Sequence, residues 1–189
     1  VLTPTRKGPC GTINLNRLLQ EALNPRTPGK REILWGERVF RVGDRIMQTR
    51  NDYDVVWQKD DGTVGTGMFN GDVGRIVEID QGGEWLALDF DGRKAPYSVE
   101  MLSEIDLAYA QTVHKAQGSE YRCVVLAAMP SAPSLMVRGV LYTALTRARE
   151  LLVIVGDDAA IRSMAANDRQ QKRYSGLKWR LCHAGDASE

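Results

Sequence analysis

Between Ala108 and Tyr121 the chain reads Ala-Tyr-Ala-Gln-Thr-Val-His-Lys-Ala-Gln-Gly-Ser-Glu-Tyr, a loop crowded with hydroxyl, imidazole, ammonium, amide and carboxylate groups. Apolar, strand-like runs flank it. Thr112 and His114 can donate to phosphate oxygens without reading base identity, and Lys115 adds charge. Gly118 allows a close backbone approach, and the Glu120 carboxylate can accept from ribose hydroxyls. Farther on, Arg147 and Arg149 end a helical pattern. An arginine presented across a cleft stabilises the charge that builds on a transferring phosphoryl group. Each residue also has a plainer reading. Arg147 or Arg149 can simply complement a helix dipole, Gly118 can serve a turn, Glu120 can be solvated and His114 can be structural.

The elements that must hold these groups follow from periodicity. Val1 to Thr5 reads as a short core strand. Leu15, Leu18, Leu19, Ala22 and Leu23 recur at helical spacing, and Asn24-Pro25 ends that helix. Residues 24 to 32 read as a linker. From about Arg38 to Ile105, β-like runs (Val39–Met47, Gly74–Ile79, Glu84–Phe90, Lys94–Val99) alternate with turns. The turns are Asp61-Gly62, Asn70-Gly71, Gly82-Gly83 and Asp91-Gly92, and the spacing predicts a small antiparallel barrel.

After Leu107 the texture becomes α/β. Ala108–Val113, Cys123–Met129 and Leu151–Val155 are short and apolar, as buried parallel strands are. Ser134 is placed to cap a helix whose apolar face is Leu135, Val140, Leu141, Ala144, Leu145 and Ala148. Asp157 or Asp158 is placed to cap another, Ala159–Ala165. The tail from Asn167 is polar and basic (Arg169, Lys172, Arg173, Lys178, Arg180). In α/β sheets ligands gather outside the carboxyl ends of strands, where the loop after Ala108 sits.

The 189 residues carry a formal net charge of +1, which disfavours a protein that simply coats nucleic acid. Three scattered cysteines (Cys10, Cys123, Cys182) and two histidines suit neither a disulfide framework nor a metal site. An intracellular, cytoplasmic home is the plain expectation. No run approaches the roughly 18 apolar residues of a membrane helix.

Thr112-Val-His-Lys-Ala-Gln-Gly-Ser-Glu120 resembles motif V of superfamily 1 helicases, and Tyr142-Thr-Ala-Leu-Thr-Arg-Ala148 resembles their motif VI. The wording His114-Lys-Ala-Gln-Gly-Ser-Glu120, with Val1-Leu-Thr-Pro-Thr5 and Phe69-Asn-Gly-Asp-Val-Gly74, resembles the RecD-like branch of 5′-to-3′ polarity. The resemblance implies a RecA-like second motor domain with a parallel sheet (residues 1–37 and 106–189), interrupted by an SH3-like barrel (38–105). It further implies Arg147 as arginine finger, Gly118, Ser119 and Glu120 at the nucleotide, and Thr112, His114 and Lys115 on single-stranded DNA. Arg6 and Lys7 face either DNA or solvent. Gln48, Arg50 and Asn51 lie where barrel and motor meet.

No GxxxxGK[ST] phosphate loop occurs in the chain. The resemblance puts that loop, and the carboxylates that hold Mg2+ beside ATP, in a first motor domain preceding Val1. The chain is then expected to be half an active site, inactive alone, with the first motor domain, single-stranded DNA and possible subunits of a nuclease–helicase complex as partners, and no membrane. Two alternatives remain: the helicase module of a conjugative relaxase, or an SH3-like partner-binding module on a non-catalytic scaffold.

Overall fold

The computed structural model describes residues 1–169 together with Gly176 and Cys182. In chain order it begins with β1 (Leu2–Thr3), α1 (Thr12–Leu23), β2 (Glu32–Trp35), β3 (Arg38–Arg41) and β4 (Arg45–Gln48). Then come β5 (Asp52–Gln58), β6 (Val64–Met68), β7 (Val73–Ile79), β8 (Trp85–Phe90) and β9 (Arg93–Ser98). A 3-10 turn (Val99–Glu104) leads to β10 (Ile105–Leu107), β11 (Gln111–Thr112), β12 (Tyr121–Ala128), α2 (Arg138–Leu145), β13 (Ala148–Gly156) and α3 (Asp158–Ala166). Among the described residues no helix is long and apolar enough to cross a membrane.

Two sheets divide the work. A parallel sheet has the order β11-β1-β12-β13, and an antiparallel one the order β10-β4-β7-β8-β9-β5-β6. The hairpin β2-β3 stands beside the second sheet, with Ile33 and Trp35 packed on its core. Each sheet has its own apolar core. Phe40, Ile46, Met68, Leu86, Phe90 and Ile105 belong to one, and Leu2, Val113, Val124, Leu126, Leu141 and Met164 to the other.

Several expectations shift in detail. The run Val39–Met47 is two strands, because the chain turns at Gly43 (φ 91°). The hairpin β5-β6 was not among the expected runs. Its acidic, glycine-bearing sequence (Asp-Tyr-Asp-Val-Val-Trp-Gln and Val-Gly-Thr-Gly-Met) obscures the alternation, although Asp61-Gly62 marks its turn. The expected strand Ala108–Val113 reduces to Gln111–Thr112, since Ala108 and Tyr109 are spent on the crossing between the sheets. Ser134 does not cap α2. That helix starts at Arg138 after Val137, with no side-chain cap. Asp157 does cap α3, accepting from the Ala159 N–H at 2.7 Å. Of the basic tail, Lys172, Arg173, Lys178 and Arg180 lie outside the described residues.

The parallel strands are covered by α2 and α3 on one face only among the described residues. Val125, Leu151, Val153 and Val155 therefore remain exposed, where a strand buried on both faces was expected.

Helix α1 gives the clearest reversal. Its leucines suggested an apolar buried stripe, yet Ile13, Leu18 and Leu23 are exposed, while Thr12, Asn16 and Gln20 are buried. The polar residues recur every four positions and so share one face. That face meets main-chain groups and a carboxylate instead of a greasy core. Asn16 donates from Nδ2 to the Leu107 and Ala110 carbonyls and accepts from the Ala110 N–H. Gln20 donates to the Val39 carbonyl and to Asp44.

Asp44, fully buried, is the hub that joins the two sheets. Its carboxylate accepts from Gln20 Nε2 (2.5 Å), Asn24 Nδ2 (2.7 Å), the Arg41 N–H (2.7 Å) and Tyr109 Oη (2.8 Å). Arg41, also buried, pairs with Glu21 of α1 and Glu32 of β2. A buried charge is tolerated when it is fully hydrogen-bonded, and these partners come from both sheets' surroundings. The two halves are therefore held in one orientation by polar contacts of fixed geometry.

Candidate nucleotide and nucleic-acid site

The loop after β11 is pinned from below. Val113 and Ala116 are buried, and the Val113 N–H donates to the Thr3 carbonyl of β1 at 3.0 Å. Above those anchors the chain coils tightly: the Ala116 N–H donates to the Thr112 carbonyl, the Gln117 N–H to that of His114, and the Ser119 N–H to that of Ala116. Gly118 lies at φ 84°, in the left-handed region where a side chain would be strained, with open space on its Cβ side. Anchoring at the apolar positions leaves His114, Lys115, Gln117, Gly118 and Glu120 exposed at the carboxyl end of the parallel sheet.

Arg147 closes the other side. It follows α2 and is half-buried. Its Nε donates to the Thr143 carbonyl at 3.2 Å, Nη1 to the Ser119 carbonyl at 2.9 Å and Nη2 to Thr146 Oγ1 at 3.2 Å. Three of the five guanidinium N–H groups are thus engaged, which leaves two for a ligand. The Tyr121 N–H donates to the Arg147 carbonyl at 2.8 Å, a second clasp between the same two segments. Arg149 leaves this cluster and faces Glu120 at 3.5 Å.

The sequence candidates consequently fall into three groups. Ser119 and Arg147 meet directly, with Gly118 and Glu120 on either side of Ser119 in the chain. Thr112 and Lys115 sit on the opposite flank of the loop, where the Lys115 N–H donates to Thr112 Oγ1 at 3.3 Å. His114 borders a cleft of about 860 Å³ with Gln117, Arg138, Tyr142 and Thr143. Lys115 instead borders a groove of about 1120 Å³ between α1 and the barrel, shared with Arg6, Arg17, Trp35, Arg38 and Thr49. Desolvation in that groove holds the Lys115 ammonium below the ordinary lysine range; Asp106 opposes the shift and Arg6 reinforces it. Among the described residues no cluster of three or more His, Cys, Asp or Glu side chains could hold a metal ion.

Sequence reasoning missed Asp44, Arg41, Tyr109 and the polar face of α1. The signal was present as Thr12, Asn16, Gln20 and Asn24 at four-residue intervals, a polar stripe overlooked because the leucine stripe beside it was more familiar.

Residues 15–90 match the SH3 domain of ATP-dependent RecD-like DNA helicases, and residues 107–155 match the UvrD-like helicase C-terminal domain. The ATP-dependent RecD2 DNA helicase of Deinococcus radiodurans is 38% identical over 94% of this chain and 23% of its own length. The RecBCD enzyme subunit RecD of Mycolicibacterium smegmatis is 34% identical over 98% of this chain and 29% of its own. The chain thus spans roughly a quarter of the length of these relatives. A Pif1 helicase from Bacteroides, in complex with ADP-AlF3 and ssDNA, shares the fold with a TM-score of 0.55 at 16% identity, over 98% of this chain and 46% of that one. A structure of two coordinating Pif1 helicases unwinding forked dsDNA gives 0.52 at 18% identity, over 93% and 43%. The parallel sheet is thereby RecA-like in fold, and the antiparallel one, inserted between β1 and β11, is an SH3-like barrel. The chain belongs to the RecD-like superfamily 1 helicases, as the part that carries their SH3 domain and UvrD-like C-terminal domain.

Proposed function

We propose that this chain is the second motor half of an ATP-dependent helicase that moves 5′ to 3′ along single-stranded DNA. Residues 1–37 and 106–189 form the motor domain and 38–105 the barrel inserted in it, with the β2-β3 hairpin straddling the first boundary. Arg147 is the arginine finger. Gly118, Ser119 and Glu120 face the nucleotide, while Thr112, His114 and Lys115 grip the DNA backbone. The observation that carries this reading is the junction of Ser119 with Arg147: the loop that holds Thr112 and Lys115 also holds the arginine, with His114 in the cleft beside α2.

ATP fits the donors present. Two guanidinium N–H groups remain open, and the backbone at Gly118 leaves room for close approach. The γ-phosphate supplies the bond whose hydrolysis drives movement. The Mg2+ ligands, the phosphate loop and the rest of the catalytic apparatus belong to a first motor domain, so the chain alone does not turn ATP over. Three free thiols suit a cytoplasmic protein. Subunits of a RecBCD-type complex are candidate partners, by analogy with the RecD relatives.

Single-stranded DNA affinity, measured at two salt concentrations with several unrelated sequences, tests the reading. The expected result is weak, salt-sensitive, sequence-indifferent binding that Thr112→Ala with His114→Ala impairs without loss of fold. A strong preference for one sequence, or wild-type affinity in the double variant, would refute it, as would ATP turnover by the purified chain.

A further inference from the structure

Between the barrel and the motor loop the chain makes a short crossing that neither sheet supports. Leu107 is the last residue paired with β4, and Gln111 the first paired with β1. Ala108, Tyr109 and Ala110 belong to neither ladder. A buried main-chain group without a partner is costly, and Ala110 is only 2% exposed. The two alanines offer packing a single methyl group each, so hydrogen bonds set the path.

Asn16 of α1 takes the place of a strand here. Its Oδ1 accepts from the Ala110 N–H at 2.7 Å, while Nδ2 donates to the Ala110 carbonyl at 3.0 Å and to the Leu107 carbonyl at 2.9 Å. The reciprocal pair with Ala110 copies the exchange between hydrogen-bonded residues of an antiparallel ladder. Such an exchange needs a side chain with both acceptor and donors, which an amide supplies.

Asn16 is itself tied to the motor sheet. The Thr12 and Ile13 N–H groups donate to the Thr5 and Arg6 carbonyls just beyond β1, and Thr3 Oγ1 donates to the Cys10 carbonyl. Gly11 permits this close seating, since a Cβ there would stand 2.5 Å from the Arg6 and Lys7 carbonyl oxygens.

The crossing leads straight into the motor loop. Thr112 pairs with Thr3 and starts the first coil: its carbonyl accepts from the Ala116 N–H and its Oγ1 from the Lys115 N–H. Asn16, Ala110, Thr112 and Lys115 line one small pocket of about 30 Å³. A shift of Ala110 is thus passed along the chain to the groups assigned to DNA.

We propose that Asn16 is a positioning residue for the motor loop. By fixing the Leu107–Ala110 crossing it sets where Thr112 and Lys115 stand, and so the strength of the single-stranded DNA contact, while remaining buried itself. This rests on the DNA role proposed for Thr112 and Lys115.

Asn16→Ala and Asn16→Asp test the role in this chain. Alanine opens space beside the existing pocket, where water can take up the Leu107 and Ala110 groups, so the fold is kept while the fixed geometry is lost. Aspartate keeps the shape and an acceptor but removes the two donors. In both, hydrogen exchange at the Val113, Ala116 and Gln117 amides should accelerate by about tenfold, with the barrel strands at wild-type protection. Affinity for labelled oligo(dT), read by fluorescence anisotropy, should fall by about tenfold. Gln20→Leu is the control: it removes bonds to Val39 and Asp44 from the same helix face, and should lower the urea midpoint without moving either readout.

Wild-type loop exchange in both Asn16 variants would overturn the proposal, as would global unfolding of both or an equal loss of affinity in Gln20→Leu. Faster loop exchange with unchanged affinity, while Thr112→Ala still weakens binding, would also overturn it and leave the DNA reading standing. Affinity indifferent to Thr112→Ala as well would overturn the DNA reading itself.

Discussion

Arg147 Nη1 lies 2.9 Å from the carbonyl oxygen of Ser119, to which it donates. This bond ties the end of α2 to the loop that leaves β11, so a change at either one is felt by the other. It also reconciles two readings of the arginine. The Nε contact to the Thr143 carbonyl satisfies the helix C-terminus, while the remaining N–H groups stay open to an anion.

Arg147→Ala is expected to separate these roles. In a full-length parent, kcat for ATP hydrolysis should fall by about 10³ or more, with ATP binding comparatively intact. In this chain the same substitution should cost about 1 kcal/mol of stability, because hydrogen bonds to two main-chain carbonyls are lost. Steady-state kinetics and urea titration give the two numbers. An unchanged kcat alongside a lowered stability would leave Arg147 a bracing residue only.

Asp44→Ala should be among the most damaging substitutions outside the motor loop. It leaves Gln20, Asn24, Tyr109 and the Arg41 N–H without their acceptor, at a cost of about 3 kcal/mol or more. Because those donors span both halves, the urea transition should broaden or split as barrel and motor sheet lose their common hub. A single sharp transition at the wild-type midpoint would show that apolar packing alone couples them.

Tyr109 supplies a pH signature for the same hub. Desolvation, and then the adjacent Asp44 carboxylate, push its phenol up to about 12 from an ordinary 10. The sign follows from linkage. Below about pH 10 the folded and unfolded chains both keep the proton, and the contribution is complete. Between 10 and about 12 only the unfolded chain ionises, so stability declines; above 12 the contribution is gone. The stability difference between wild type and Tyr109→Phe should therefore shrink across that window. A constant difference between pH 9 and 12 would contradict the assignment.

Gly74→Val should unfold the barrel before the motor sheet. A Cβ at Gly74 would sit 2.4 Å from the Asp89 carbonyl oxygen and 2.8 Å from the Phe90 ring, and backbone cannot yield as a flexible side chain can. Overpacking of this kind costs about 1–3 kcal/mol. Tryptophan fluorescence, from Trp57 and Trp85 of the barrel strands, should report the loss at lower urea than far-UV signals from α2 and α3.

Much of this molecule was legible in one dimension. Asp61-Gly62 marked the turn of the β5-β6 hairpin, because a tight reversal restricts which residues can occupy it, while Asn70-Gly71 turned out to join β6 to β7, which are not neighbours in the sheet. The run from Thr112 to Glu120 lies where its sequence places it, as a polar loop after β11 at the carboxyl end of the parallel sheet. Both are local properties, governed by neighbours in sequence.

What only the tertiary structure decided lay between distant segments. The leucines of α1 pointed to an apolar buried face, but Asn16 and Gln20 were buried instead, because main-chain carbonyls 94 and 19 residues away in the chain needed donors there. Asp44 lay unremarked inside the expected run Val39–Met47 and became the hub of four donors. Hydrophobic periodicity records which residues can be buried together. Which polar groups must meet to satisfy one another is settled only when the chain has closed on itself, since a hydrogen bond needs its partner in place and in line.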